Sequence, residues 1–228
     1  MAHQTLKSSY AALTRRLNRY PQGAPPSERL FKILKILFSE REAGLVACLP
    51  IKPFTARKAA RIWKMNLTGA RRVLDALADR AILIDIPQNG ETHYILPPPM
   101  AGFFEFSLMR VREDIDQKAL SELFYQYLNE EEAFVRDLFT RGETQLGRTF
   151  VQEPALSENV DDALYVLDYE RATEVIRTAR HRAVGICYCR HKMSHVDRAC
   201  EAPQDICMTF NTSAGALIRH GHAREVDT

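Results

Sequence analysis

Apolar residues recur at helical spacing through Leu30, Phe31, Ile33, Leu34, Ile36, Leu37 and Phe38, directly after Ser27. The pattern predicts a helix buried on most of its circumference, with Ser27 as its N-cap. A shorter helix is expected over Thr55 to Trp63, capped by Thr55 and packed through Ala56, Ala59, Ala60, Ile62 and Trp63. After the turn Lys64-Met65-Asn66-Leu67, a third helix runs from about Thr68 to Arg80, with Ala70, Val73, Leu74, Leu77 and Ala78 inward. Two β-rich runs follow, Ala81 to Ile86 and Thr92 to Leu96. They are joined by Pro87-Gln88-Asn89-Gly90, in which Asn-Gly is a strong hairpin-turn signal.

Helix, helix-turn-helix and hairpin is the order of a winged helix-turn-helix, whose third helix can enter a DNA major groove. Beyond it, Pro97-Pro98-Pro99 forms a stiff connector, and Phe103, Phe104 and Phe106 supply aromatics to pack behind it. Helices are expected over Gln117 to Asn129 and Glu131 to Phe139, and short strands over Thr149 to Gln152 and Ala163 to Leu167. Asp168 is expected to cap a helix from Tyr169 to His181, before a strand from Ala183 to Ile186 and a last helix through Ala214, Leu217 and Ile218. The expected class is α+β. The expected division is an N-terminal extension over 1–26, a winged-helix domain over 27–99, a helical connector over 100–148 and an α+β metal-cluster-binding domain over 149–228.

Composition is ordinary for a globular chain of 228 residues, with 46% hydrophobic and 26% charged residues. No apolar run approaches the roughly 20 residues that a bilayer-crossing helix needs. The net charge of +2 hides an uneven distribution. Residues 1–50 carry eight Lys/Arg against three acids and residues 51–80 eight against two, whereas residues 111–170 carry fifteen acids against five bases. Arg57, Lys58, Arg61, Lys64, Arg71 and Arg72 make the helix-turn-helix segment basic, which suits DNA phosphate or a protein partner. A solvated or purely structural face is the alternative.

Four of the five cysteines, Cys187, Cys189, Cys200 and Cys207, fall within 21 residues in the pattern C-x-C-x10-C-x6-C. Thiolates held close repel one another unless a cation neutralises them, so a metal centre is the natural expectation. Zinc sites of four cysteines use two closely spaced pairs, and the second spacing here is too wide for such a knuckle. An iron–sulfur cube accepts ligands from a longer loop and carries net negative charge, which Arg182, Arg190, His191, Lys192 and Arg198 would offset. A [4Fe-4S] cluster is therefore favoured, with zinc as the alternative. Met1 to Tyr20 is polar and basic without an apolar segment, so a cytoplasmic setting is expected and a disulfide pair is disfavoured.

The chain resembles the 4Fe-4S ferredoxin-type iron–sulfur proteins of anaerobic bacteria and archaea that carry an N-terminal winged helix. The resemblance covers the sequence from about Leu30 onward. It rests on Tyr94 to Phe106, where a Pro-rich link meets a Gly-Phe-Phe-Glu-Phe block, and on Leu167-Asp168-Tyr169-Glu170. The specific part is Cys187-Tyr188-Cys189-Arg190 with Cys200, Pro203 and Cys207. It implies an iron–sulfur centre on the four cysteines, serving electron transfer or redox sensing. Electron transfer to a redox partner protein is the favoured role, with a cluster-sensing regulator whose winged helix meets DNA as the alternative. Family members commonly continue into a ferredoxin domain with C-x2-C-x2-C-x3-C-P runs, and this sequence contains none, so a single centre is expected.

Arg190, His191, Lys192 and Pro203 are expected to surround the centre rather than to ligate it. Cys48, among Leu45, Val46, Ala47 and Leu49, is expected to be a buried structural thiol, and His220 and His222 to face solvent. No Ser–His–Asp order, paired-carboxylate motif or Gly-rich phosphate loop is recognisable. The chain reads as an electron carrier or sensor more than as an enzyme.

Overall fold

Local capping chemistry fixes the starts of five helices among the described residues. A computed structural model of the chain describes residues 2–20, 22–140 and 169–227. After α1 (Ala2–Leu17), helix α2 (Glu28–Leu37) begins where the Ser27 hydroxyl accepts the Leu30 N–H, and it buries Leu30, Ile33, Leu34 and Leu37. Helix α3 (Glu40–Ala47) opens with a capping box between Ser39 and Glu42. Strand β1 (Phe54–Thr55) leads into α4 (Ala56–Trp63), capped by Thr55, and Asn66 caps α5 (Leu67–Asp79). The strands β2 (Ile84–Gln88) and β3 (Glu91–Ile95) form a hairpin, and β1 adds to its far side to give an antiparallel sheet of order β1-β3-β2.

The hairpin turn is only Asn89-Gly90, both at positive φ (50° and 77°), as a two-residue turn compatible with strand twist requires. Pro87 and Gln88, expected in the turn, belong to β2. Neither α1 nor α3 was anticipated as a helix. In α1, Tyr10, Leu13 and Leu17 share one inward stripe, and the buried Arg16 guanidinium donates to the carbonyls of Leu49 (3.0 Å) and Pro50 (2.6 Å).

A π-helical turn at Pro99–Phe103 passes directly into the short α6 (Phe104–Phe106). Helix α7 (Gln117–Tyr125), capped by Asp116, packs on α2 and continues through a second π-helical turn at Gln126–Glu130 towards α8 (Glu132–Thr140). The C-terminal part contains α9 (Tyr169–Thr178), β4 (Arg182–Ile186), α10 (Tyr188–Ser194), β5 (Asp205–Phe210), α11 (Asn211–Arg219) and β6 (Arg224–Glu225). Its sheet is antiparallel with order β5-β4-β6. The expected strands over 149–152 and 163–167, and the Asp168 cap, lie outside the described residues.

Mixed α+β architecture with small antiparallel sheets is thus observed. One contiguous set of buried apolar side chains runs from Tyr10 through Phe103, Phe104 and Phe124 to Tyr188 and Leu217. It joins the N-terminal helices to the cysteine-bearing segment. Among the described residues no helix is long and apolar enough to cross a membrane.

Two expectations about single side chains are corrected. Cys48 is exposed, because it is the C-cap of α3 and its thiol swings back to the Gly44 carbonyl at 3.4 Å. His222 is 2% exposed rather than solvent-facing. After α11, the N–H of His222 bonds the Leu217 carbonyl (2.8 Å) and that of Gly221 bonds the Ile218 carbonyl (3.1 Å), with Gly221 at φ 67°. This Schellman arrangement folds the chain back and turns His222 inward.

Candidate metal centre

Strand β4 delivers the first cysteine, since Cys187 directly follows Ile186 and is the N-cap residue of α10. Its N–H bonds the Gln204 carbonyl at 2.6 Å and its carbonyl accepts the His191 N–H at 2.9 Å, so both strand and helix fix it. Tyr188 enters the core and meets Phe124 edge-on at 6.1 Å, which leaves Cys187 and Cys189 flanking a buried anchor near the surface. Cys207 sits opposite Gly185 in the β4–β5 ladder, beside a bulge where the register slips between Gly185 and Ile186. Glycine is required at 185: a Cβ there would lie 2.8 Å from the His222 carbonyl oxygen.

Cys200 comes from the loop between α10 and β5, and Arg190 carries it to the others. The Arg190 Nε donates to the Cys200 sulfur at 3.2 Å, and the Cys187 thiol lies near enough to act on the guanidinium electrostatically. Cys187, Cys189 and Cys200 line a cavity of about 340 Å³ together with Arg190, Met193 and Arg198. Cys207 lies near enough for the Cys187 and Cys189 thiols to act on it electrostatically. All four are free thiols. Among the described residues, no three His, Cys, Asp or Glu side chains are arranged to hold a single metal ion. Three of the four cysteines line a hollow instead.

Electrostatics divides the four. The Arg190 hydrogen bond, helped by the Ala202 backbone, holds the Cys200 thiol below the ordinary thiol range. Partial desolvation of the sulfur pushes Cys189 and Cys207 up, although the Cys189 residue is exposed as a whole, and the neighbouring Cys187 and Glu105 add to that. In the metal-free protein, alkylation of Cys200 should therefore set in at lower pH than that of Cys189. Arg190→Gln should narrow the difference by raising Cys200 alone, which residue-resolved mass spectrometry across a pH series would measure.

The other residues expected around the centre divide between two tasks. Arg190 faces the sulfurs. His191 is buried and turned away, its Nδ1 donating to the Leu108 carbonyl at 2.7 Å while its Nε2 lies 3.3 Å from His195. Lys192 is buried as well, with its ammonium donating to Asn129 (2.9 Å) above the Tyr188 ring. Both pin α10 from behind. Burial lowers the Lys192 pKa, and the Cys189 charge opposes that shift. Pro203 is exposed just ahead of β5. Glu105 was not anticipated near the thiols; its one sequence signal is an acid inside the Phe103-Phe104-Glu105-Phe106 block.

Arg57, Lys58, Arg61, Lys64, Arg71 and Arg72 are far from this cavity in sequence and all exposed on α4, its following turn and α5. No protein-family model matches the chain, and no curated protein or solved structure matches it.

Proposed function

We propose that the chain is a redox protein that binds one [4Fe-4S] cluster on Cys187, Cys189, Cys200 and Cys207 and exchanges single electrons with a partner protein. The observation that carries this reading is the gathering of three free thiols, from a strand end, a helix and a loop, around one cation-lined cavity, with the fourth, Cys207, on the strand paired beside Gly185 and within electrostatic reach of Cys187 and Cys189. An all-sulfur donor set fits this cofactor, and sulfurs spread around a hollow suit ligands that each bind a different iron. When bound, the cluster supplies a reversible one-electron couple.

The chain's own residues account for the rest. The four thiolates hold the cofactor, while Arg190 offsets negative charge beside Cys187 and Cys200. Tyr188 and Phe124 keep water from the inner side, and the exposure of Cys189 and Cys200 leaves the outer side open to an approaching protein. Five unpaired thiols accord with a reducing cytoplasm. The order α2, α3, β1, α4, α5, β2, β3 with sheet order β1-β3-β2 supports a winged helix-turn-helix as the N-terminal unit.

Anaerobic purification with iron, acid-labile sulfide and zinc analysis tests the reading. About four irons and four sulfides per chain, with a reversible low-potential couple, are the expected result. A colourless protein with stoichiometric zinc overturns it.

A further inference from the structure

We propose that the exposed face formed by α4, the turn after it and α5 is a docking surface for duplex DNA. Arg57, Lys58, Arg61, Lys64, Arg71 and Arg72 are all exposed there, and among the described residues none of them is paired with a carboxylate. Elsewhere Arg29 pairs with Glu131, Arg80 with Glu42, Arg112 with Asp114 and Arg219 with Asp85. Six like charges held together without a paired carboxylate repel one another, and a polyanion relieves that repulsion.

Shape agrees with charge. Helix α5 has 13 residues, so it is about 20 Å long, and its exposed side carries Arg71 and Arg72. That length suits a helix lying in a major groove about 12 Å wide. The hairpin tip runs beside it. A cavity of about 510 Å³ is lined by Arg57 and Arg71 from the helices and by Asn89, Gly90 and Thr92 from the hairpin. Helix and hairpin can thus touch one duplex at two places. Two acids share this lining. Asp75 accepts the Tyr94 hydroxyl at 2.6 Å and Glu91 lies at the hairpin edge, so two acidic charges oppose phosphate against six basic ones.

An acidic protein is the competing occupant. Protein interfaces centre on buried apolar or aromatic anchors. On α4 and α5 the large hydrophobic side chain that is exposed is Leu67, at 40%. Cations around so little apolar surface fit a phosphate backbone better. The proposal does not depend on what the thiols hold.

Anisotropy of a labelled 25-base-pair duplex, titrated with the full-length chain over a salt series, tests it. Contact with about six phosphates gives a slope of log K against log salt near −5, or roughly a thousandfold weakening between 50 and 200 mM. The double variant R71E/R72E, with both sites exposed and its fold checked by circular dichroism, should bind about a hundredfold more weakly at 50 mM salt and lower the slope by about 2. R177E, on the exposed side of α9, should bind as the unaltered chain does. No duplex binding at low salt, or equal binding by R71E/R72E, overturns the proposal. So does a poly-glutamate chain that binds as tightly as the duplex, which would assign the surface to an acidic protein.

Discussion

Phe104→Ala is expected to destabilise the fold by about 3–5 kcal/mol, the usual cost of deleting a fully buried aromatic ring. Phe104 is completely buried and sits at the centre of an aromatic chain, 4.9 Å from Phe103, 5.0 Å from Phe124 and 6.4 Å from Tyr127. Phe103 reaches Phe38 after α2, and Phe124 reaches Tyr188 between the first two cysteines. The rings come from four separate segments, so none can follow the others into the void without disturbing its own helix. Urea denaturation should show the loss as a fall in midpoint at nearly constant slope. Because Tyr188 leans on Phe124, alkylation of Cys187 and Cys189 should also quicken. A destabilisation below about 1 kcal/mol would show that the void is filled locally and that the aromatic chain does not tie the two halves together.

His222 governs the second large effect, which depends on pH. It is buried, and its Nε2 donates to the Asp79 carbonyl at 2.9 Å, which leaves Nδ1 as a bare lone pair without a partner. Burial, reinforced by the nearby Arg110, Arg112 and His220, pushes its pKa down to about 4. In the unfolded chain an imidazole titrates near 6.5, so between these values the unfolded state binds the extra proton. The stabilisation is complete above pH ~6.5 and is lost as pH falls through about 4. The difference of roughly 2.5 units corresponds to about 3 kcal/mol. His222→Gln keeps an N–H donor for Asp79 but has nothing to protonate. Between pH 7 and pH 4 the unaltered chain should therefore lose about 3 kcal/mol more than this variant, read as the gap between their urea midpoints. Parallel profiles would show that the imidazole stays solvated enough to titrate normally.

Legibility of the fold followed the range of the interactions. Ser27 and Thr55 were readable as caps because a hydroxyl needs only an N–H three residues on. Asn89-Gly90 announced its turn because both residues tolerate positive φ. Helix α10 was hidden: its seven residues, Tyr188 to Ser194, show no apolar period, and what buries His191 and Lys192 is contact with Leu108 and Asn129, distant in sequence. Strand β5 was hidden too, since Ile206 and Met208 remain exposed and the bulge breaks the alternation that marks a strand. The cysteines were readable as a group from their crowding. Their unequal acidities were not, because those depend on Arg190 bending back and on Glu105 approaching from α6.

The end of α11 grips the hairpin. Arg219 holds the Asp85 carboxylate with two hydrogen bonds of 3.0 Å and the Asp85 carbonyl with a third, while Arg110 joins the His220 carbonyl to that of Asp79 at the end of α5. Helix α11 follows β5 without a linker, Asn211 directly after Phe210. The sulfur-bearing strand and the basic helices are consequently parts of one lever. Any tilt of Cys207's strand swings the hairpin through the Asp85 handle, unless that clasp opens first.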